Sequence, residues 1–387
     1  MPPLSSSFSA GLEGVIAAQT AISSVDGGKG ELVIRGFRIE ELAPHASFEE
    51  TDFLLWHDAL PDAAALDRFR AELAAQRTLE GHTLELLKAA AARSVHPMDA
   101  LRMACASLVA ASVPDRIASA RQDALRLVAT FPTIVAAYDR LSHGLEPVEP
   151  RENLSHAANF LCMLRGTQAP AAFVHALDTY WNTVVDHGLN ASTFTARVIV
   201  STESDVISAV TGAVGALKGP LHGGAPGPAL ELVFEIESAD RAERILRRRL
   251  ERGERLMGFG HRVYRTRDPR ADVLGAAAER LFERAGDRGL YELARAVEAC
   301  ALRLLREHKP DRALQTNVEF YTALVLHGIE FSPELFTPAF ACGRVAGWTA
   351  HCLEQLASNR LFRPQSIYVG ARDRRWVPAH ERGSSAT

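Results

Sequence analysis

Apolar side chains recur every three to four positions along most of the chain, and only one stretch near the start departs from that spacing. Between residues 20 and 36, Ala21-Ile22 and Leu32-Val33-Ile34 flank Asp26-Gly27, a turn pair, so a short β-hairpin is predicted there. Residues 1–10, with Pro2, Pro3 and Ser5 to Ser7, offer little to bury and read as a loose tail. Beyond the hairpin the helical period dominates, at 66–76, 83–92, 97–111, 116–130, 155–164, 229–236, 241–255 and 340–355. The fold class this predicts is mostly α, a helical architecture with one small N-terminal hairpin.

Two clusters of Gly and Pro punctuate the pattern. The first runs from Lys218-Gly219-Pro220-Leu221-His222-Gly223 to Pro228, and the second, looser, from Gly328 through Pro333 to Pro338. Such clusters suit hinges or domain joins. They divide the chain into a first part of a large helical domain (1–223), a small domain (224–329) and the C-terminal part of the large domain (330–387). A length of 387 residues agrees with two or three domains at about 150 residues each.

Composition excludes more than it selects. Hydrophobic residues are 47% and charged residues 23%, which are globular proportions and argue against disorder. With 43 basic and 47 acidic residues, the net charge of −4 leaves no electrostatic footprint for nucleic acid or a membrane surface. Only Lys29, Lys88, Lys218 and Lys309 are lysines, so arginine carries nearly all the positive charge. Base composition alone explains that, but arginine's planar fork also suits carboxylates and phosphates. The run Arg247-Arg248-Arg249 fits a solvated helix face, with a phosphate site as the alternative. The five cysteines are scattered and form no C-x-x-C, which points to buried thiols rather than a zinc or redox motif. The start lacks a secretory signal pattern, and no apolar run reaches ~18 residues, so a cytoplasmic protein is expected.

Three histidines sit in unusual surroundings: His187 in Asp186-His187-Gly188-Leu189-Asn190, His222 in the first Gly/Pro cluster, and His261 in Gly258-Phe259-Gly260-His261. Each is either structural or functional on these grounds; neighbouring glycines favour function, because they let a ligand approach the backbone. His222 also precedes the helix predicted at 229–236, and a helix N-terminus disfavours imidazolium. Glu319, in Gln315-Thr316-Asn317-Val318-Glu319-Phe320-Tyr321, is either a carboxylate favoured by a helix start or a desolvated general base. Arg344 lies on an apolar stripe with Cys342, Val345 and Trp348 and needs an anionic partner, with Arg363 just past that helix. The dinucleotide fingerprint fails, since Gly258-x-Gly260-x-x-Val263 lacks its third glycine and follows a basic helix; no Walker A loop or H-E-x-x-H exists. His143, His156, His175, His308 and His327 lack comparable context.

Taken together, these blocks resemble the citrate synthase family almost from end to end. The match begins at Gly11-Leu12-Glu13-Gly14-Val15 and Arg35-Gly36. It continues through His96-Pro97-Met98-Asp99, the stretch around His187, that from Lys218 to Ala225, that from Met257 to Tyr264, and Asn317 to Tyr321. It closes with Arg344 to Gln355, Asn359-Arg360 and Arg363-Pro364. The resemblance implies a dimer of the shorter type, whose small domain closes over substrate, condensing acetyl-CoA with oxaloacetate and then hydrolysing the citryl thioester. Glu319 would be the base on the acetyl methyl, His222 the neutral donor to the thioester oxygen, and His261 the donor to the oxaloacetate carbonyl. His187, Arg270, Arg344 and Arg363 would grip the substrate carboxylates, Arg363 coming from the partner subunit. Arg265 would face a coenzyme A phosphate, and Leu256, Met257, Gly258 and Gly260 the adenine. No metal or redox cofactor is implied; the coenzyme A thioester is a substrate.

Two departures from the family pattern bear on this. The base position is usually Asp and here is Glu319, one methylene longer, where ~1 Å of misplacement can cost ~10²-fold in rate. Cys342 stands where bulkier residues usually precede the arginine. The alternatives are a 2-methylcitrate synthase using propionyl-CoA, which shares every motif, a non-catalytic ligand-binding paralogue, and a metal site built from His187, His222, His261 and Glu319.

Overall fold

The computed structural model describes residues 8–223, 226–261, 263–286, 288–312 and 314–382. Most of the predicted N-terminal tail, residues 1–7, lies outside them, as do Gly224 and Ala225 of the first Gly/Pro cluster. The hairpin forms as β1 (Ser23–Asp26) and β2 (Glu31–Ile34), with a short β3 (Phe37–Arg38) completing an antiparallel sheet in the order β1-β2-β3. Asp26 ends the first strand rather than opening the turn. Its Oδ1 accepts from the backbone of Gly28 (3.0 Å) and Lys29 (2.9 Å), closing the turn that follows.

Among the described residues all other elements are helical: α1 (Ile39–Leu42), α2 (Phe48–His57), α3 (Ala63–Ala75), α4 (Gly81–Ala91), α5 (Pro97–Ser107), α6 (Arg116–Ser142), α7 (His156–Arg165) and α8 (Ala171–Val184). There follow α9 (Ala191–Ser201), α10 (Val206–Leu217), α11 (Pro226–Ile236), α12 (Ala239–Glu251), α13 (Pro269–Ala285), α14 (Gly289–His308), α15 (Val318–Gly328) and α16 (Pro333–Ala357). Many starts are written in the sequence. Ser47 and Glu50 form a capping box on α2, and Asp62, Asp115, Ser155, Asn190, Asp205, Asp268 and Asn317 each accept a backbone N–H of the first turn.

Two helices outrun the pattern. The helix predicted to stop near Thr130 continues through Pro132 to Ser142 as α6. Its residues from Leu127 to Tyr138 are buried, so packing against α16 outweighs the hydrogen bond that proline removes. Likewise α16 begins at Pro333 and runs through Pro338, so the second Gly/Pro cluster is a break only at 329–332. The core surrounds α16, whose residues from Ala341 to Cys352 are all buried, among them Trp348, with Trp181 of α8 packed beside it.

The arginine run on α12 is a solvated face. Arg247 pairs with Glu243 (2.8 Å) and Glu307 (3.2 Å), and Arg248 with Glu235 (3.6 Å), all partly exposed pairs of small energetic weight. All five cysteines are free, four of them buried. Among the described residues no helix is long and apolar enough to cross a membrane.

Candidate active site

Asp268 joins the starts of two helices at the site. As the N-cap of α13 it accepts Arg270 N–H (3.1 Å), and its Oδ2 also accepts Val318 N–H (3.2 Å) at the first position of α15. It grips the Arg270 side chain in a fork, Nε to Oδ1 at 3.0 Å and Nη2 to Oδ2 at 2.8 Å. Both residues are buried, and Asp268 outweighs desolvation to hold the Arg270 pKa above its ordinary value. Glu319 stands in the first turn of α15, its N–H donating to the cap residue Asn317 (3.0 Å). Burial raises its pKa from 4.5 to about 6, against the pull of Arg270.

A short bridge brings His261 beside this pair. Gly260 N–H donates to Gln315 O (2.7 Å), Asn317 N–H to Gly258 O (3.0 Å), and Asn317 Nδ2 to Gly260 O (2.8 Å). Gly258 has φ +87°, and a Cβ there would come within 3.0 Å of the Phe320 side chain, so the close approach requires glycine. His261 Nδ1 accepts from the backbone of Val263 (3.0 Å) and Tyr264 (3.1 Å). A nitrogen that accepts carries no proton, so the neutral ring is protonated on Nε2. Arg270 Nη2, also only a donor, lies 3.4 Å from that Nε2, farther than either backbone N–H lies from Nδ1, so the shorter pair sets the tautomer. Desolvation, then Arg270, lowers the His261 pKa to about 4.

His187 and His222 come from other elements. His187 follows α8, with Nε2 3.2 Å from Tyr264 Oη and its ring edge-on to His261 at 5.5 Å. Desolvation and the charges of Arg270 and Arg344 hold its pKa well below the ordinary value. His222 lies past the end of α10, on a loop tied down by Thr337 Oγ1 to Gly223 O (2.9 Å). Sequence reading linked it to the start of α11, but the helix start that touches it is that of α9. Ser192 N–H, in the first turn of α9, faces His222 Nε2 at 3.4 Å, and Ser192 Oγ lies 2.8 Å away. A backbone N–H only donates, so Nε2 accepts and Nδ1 carries the proton. Trp348 Nε1 in turn donates to Ser192 Oγ (3.0 Å). Desolvation and Arg344 lower the His222 pKa to about 4.

Arg344 lies midway along α16 and is 2% exposed. Its Nε donates to Val184 O, its guanidinium covers Phe340 at 4.7 Å, and it forms no ion pair among the described residues. Desolvation lowers its pKa to about 10. A buried guanidinium without a carboxylate partner favours binding of an anion. The arrangement therefore offers two buried guanidiniums, two neutral imidazoles of fixed tautomer and a carboxylate of raised basicity, linked by contacts and by charge, which suits a small dianion and a proton removed from carbon.

The predicted residues divide into two groups. Glu319, His261, Arg270, His187, His222 and Arg344 are brought together, linked by contacts or by charge. Leu256 is buried and Met257 packs on the core beside Gly258 and Gly260. Arg265 is exposed, its backbone N–H donating to Gly27 O (2.8 Å), and its side chain has no ion-pair partner among the described residues. Arg363 is exposed on a C-terminal segment without regular structure, donates to Pro364 O (3.0 Å), and forms no hydrogen bond or ion pair with the other candidate residues. No group of three or more His, Cys, Asp or Glu among the described residues is arranged to hold a metal ion, and His222 Nε2 and His261 Nδ1 are taken by backbone N–H groups.

Sequence reasoning missed the supporting residues. Asp268 and Asn317 had an N-cap signal before Pro269 and Glu319, but not their second contacts. Glu298 of α14 had none: it accepts from Thr316 Oγ1 (2.6 Å), Tyr321 Oη (2.6 Å) and Arg267 Nη1 (2.8 Å), tying α14 to both site loops. Those hydrogen bonds and Arg267 keep its pKa low despite desolvation.

Comparison with known proteins gives the family of the chain. A family model described as citrate synthase, C-terminal domain, matches residues 11–365. The chain is 42% identical to a citrate synthase of Haloferax volcanii, covering 98% of this chain and 100% of that protein. It is 38% identical to a 2-methylcitrate synthase of Shewanella oneidensis, covering 96% and 98%. The crystal structure of citrate synthase from Pyrobaculum aerophilum superposes with a TM-score of 0.88 at 38% identity, covering 96% of this chain and 95% of that one. The chain belongs to the citrate synthase family.

Proposed function

We propose that this protein condenses acetyl-CoA with oxaloacetate and hydrolyses the resulting citryl thioester to citrate and free coenzyme A. The observation that carries the reading is the pair of neutral imidazoles whose tautomers are fixed by backbone N–H groups, together with the desolvated Glu319 beside Arg270 and the unpaired buried Arg344. The acetyl methyl is a far weaker acid than any carboxylic acid, so its enolate oxygen must be stabilised as it forms. Glu319 takes the proton while His222 Nδ1–H holds the thioester oxygen. The enolate carbon attacks the ketone carbon of oxaloacetate, whose oxygen takes up the electron pair beside His261 Nε2–H. Arg270, Arg344 and His187 hold the substrate carboxylates, and water then releases the thiol.

The same reading assigns Arg265 to a coenzyme A phosphate and the turn at Leu256, Met257, Gly258 and Gly260 to the adenine. Its exposed, unpaired guanidinium supports the first of these. Residues 224–329 form the small domain that closes over the large one. A homodimer brings Arg363 of each chain to its partner's site, which the exposed position of Arg363 on a segment without regular structure favours. Propionyl-CoA is the rival acyl donor, because relatives of both kinds match over nearly the whole chain. One methylene in a pocket is worth only ~1–3 kcal/mol. Thiol release measured with each donor, with and without oxaloacetate, tests both. Release with acetyl-CoA that requires oxaloacetate and is lost in Glu319→Gln supports the proposal, and a higher kcat/KM for propionyl-CoA moves it to 2-methylcitrate synthesis. Release undiminished in Glu319→Gln overturns the role of Glu319, and no turnover despite oxaloacetate binding marks a non-catalytic paralogue.

A further inference from the structure

Among the described residues Arg344 has no ion-pair partner, yet a carboxylate stands within its field. Asp186 is fully buried, its negative charge acts on Arg344, and the two form no ion pair. Pairing would be the ordinary outcome for two opposite charges in an interior. The contacts of Asp186 explain why it does not happen. Its Oδ1 faces His351 Nε2 at 3.1 Å, and its Oδ2 accepts from Ser23 Oγ and from Gly188 N–H (3.0 Å). His351 lies on α16 about two turns beyond Arg344 and is fully buried. Its Nδ1 is 2.8 Å from Arg197 Nη1, a pure donor, so the ring carries its proton on Nε2, toward Asp186. Arg197 is held by Glu354 Oε2 (2.6 Å) and Gln355 Oε1 (3.1 Å), and Glu354 Oε1 accepts Ala21 N–H (2.8 Å) beside the hairpin.

We infer that His351 and Ser23 are positioning residues: they occupy the oxygens of Asp186, keep it from closing onto Arg344, and so leave that guanidinium free for a substrate carboxylate. The inference rests on the carboxylate-binding role of Arg344 and deepens it. Asp186 still contributes negative potential that makes a buried cation tolerable. Its hydrogen bonds are spent on the hairpin, the Gly188 turn and α16, so the potential acts without capturing the cation.

Steady-state kinetics test this with His351→Leu, His351→Gln, Ser23→Ala, Asp186→Asn and the doubles that combine Asp186→Asn with His351→Leu or Ser23→Ala. His351→Leu is expected to raise the oxaloacetate KM about tenfold, the scale of coupling within one network, with the acyl-CoA KM unchanged. Ser23 is only half-buried, so Ser23→Ala folds whatever becomes of His351→Leu, and it should give a smaller change of the same kind. His351→Gln, whose amide both donates and accepts, should recover most of the loss. Asp186→Asn should lower the KM again in either background, since a neutral amide does not hold Arg344. An oxaloacetate KM unchanged in His351→Leu and Ser23→Ala, or doubles worse than their singles, overturns the inference. Arg344→Leu measured alongside separates the two claims. If it raises the oxaloacetate KM while the His351 and Ser23 variants do not, only the inference falls; if it too has no effect, the role of Arg344 falls.

Discussion

Glu319 carries one methylene more than the aspartate usual in the family, and its setting shows what that carboxylate meets. It stands in the first turn of α15, capped by Asn317 and desolvated enough to titrate near 6 rather than 4.5. The raised value favours the neutral form in the folded state. Its stability contribution is therefore present below about pH 4.5 and lost as pH rises through about 6, on the order of 2 kcal/mol in all. Glu319→Gln is expected to melt higher than the wild type at pH 8 and to match it near pH 4, as calorimetry would report. For the active enzyme, the acid limb of the pH–rate profile should fall near 6. His222 and His261 act with the opposite sign, because burial lowers both from 6.5 to about 4. Their contribution is present above pH 6.5 and lost as pH falls toward 4, so His222→Gln should flatten the decline in melting temperature over that window. Arg344 completes the residue scale. Its unpaired burial costs stability in the free protein, so Arg344→Leu should raise the melting temperature without ligand while abolishing the further rise on adding oxaloacetate.

At the scale of elements, the site is an assembly of helix ends and one helix middle. The starts of α9, α13 and α15 contribute N–H groups, Asp268 and Glu319, and α16 presents Arg344 and Trp348 from within the core. Gly347 sets how closely α16 approaches the His187 turn: a Cβ there would lie 2.1 Å from Val185 O and 3.1 Å from Asp186 Oδ1. Gly347→Ala must push that turn away, and at least a tenfold rise in the oxaloacetate KM is expected, with far-UV circular dichroism unchanged. A displacement of about 1 Å in an active site has cost of that order or more. The caps that form these helices were readable as Ser, Asp or Asn before an apolar period. The lengths of α6 and α16 were not, because both pass through a proline whose local cost only tertiary burial outweighs.

The whole molecule raises the question of Arg363, exposed on its own chain. If each site takes Arg363 from the partner, two inactive variants should complement each other. In a mixture of Arg363→Leu and Glu319→Gln subunits, half the dimers are mixed, and each of these has one complete site. About a quarter of wild-type activity is expected after unfolding and refolding the two together. No recovery would place Arg363 in its own chain's site, and an Arg363→Leu variant active by itself would place it outside the site.

Local chemistry was legible in the sequence: the helical period, the hairpin turn, the glycines beside each histidine, and carboxylates or amides ahead of helix starts. These follow from interactions between residues a few positions apart, which any window of sequence contains. Even the candidate set of His187, His222, His261, Arg270, Glu319 and Arg344 could be named, because each stands in a local setting or family block that marks it. The protonation states of the histidines could not be. They depend on which backbone N–H meets which ring nitrogen, and Ser192 lies thirty residues from His222 along the chain. Nor did any pattern single out Asp186, Arg197 and His351, which reach one another only when α9 and the turn before it pack against α16. The sequence by itself determined which residues could do this chemistry. The tertiary structure alone decided which nitrogen donates, which carboxylate is desolvated and which cation is left unpaired, because each is set by partners distant in the chain.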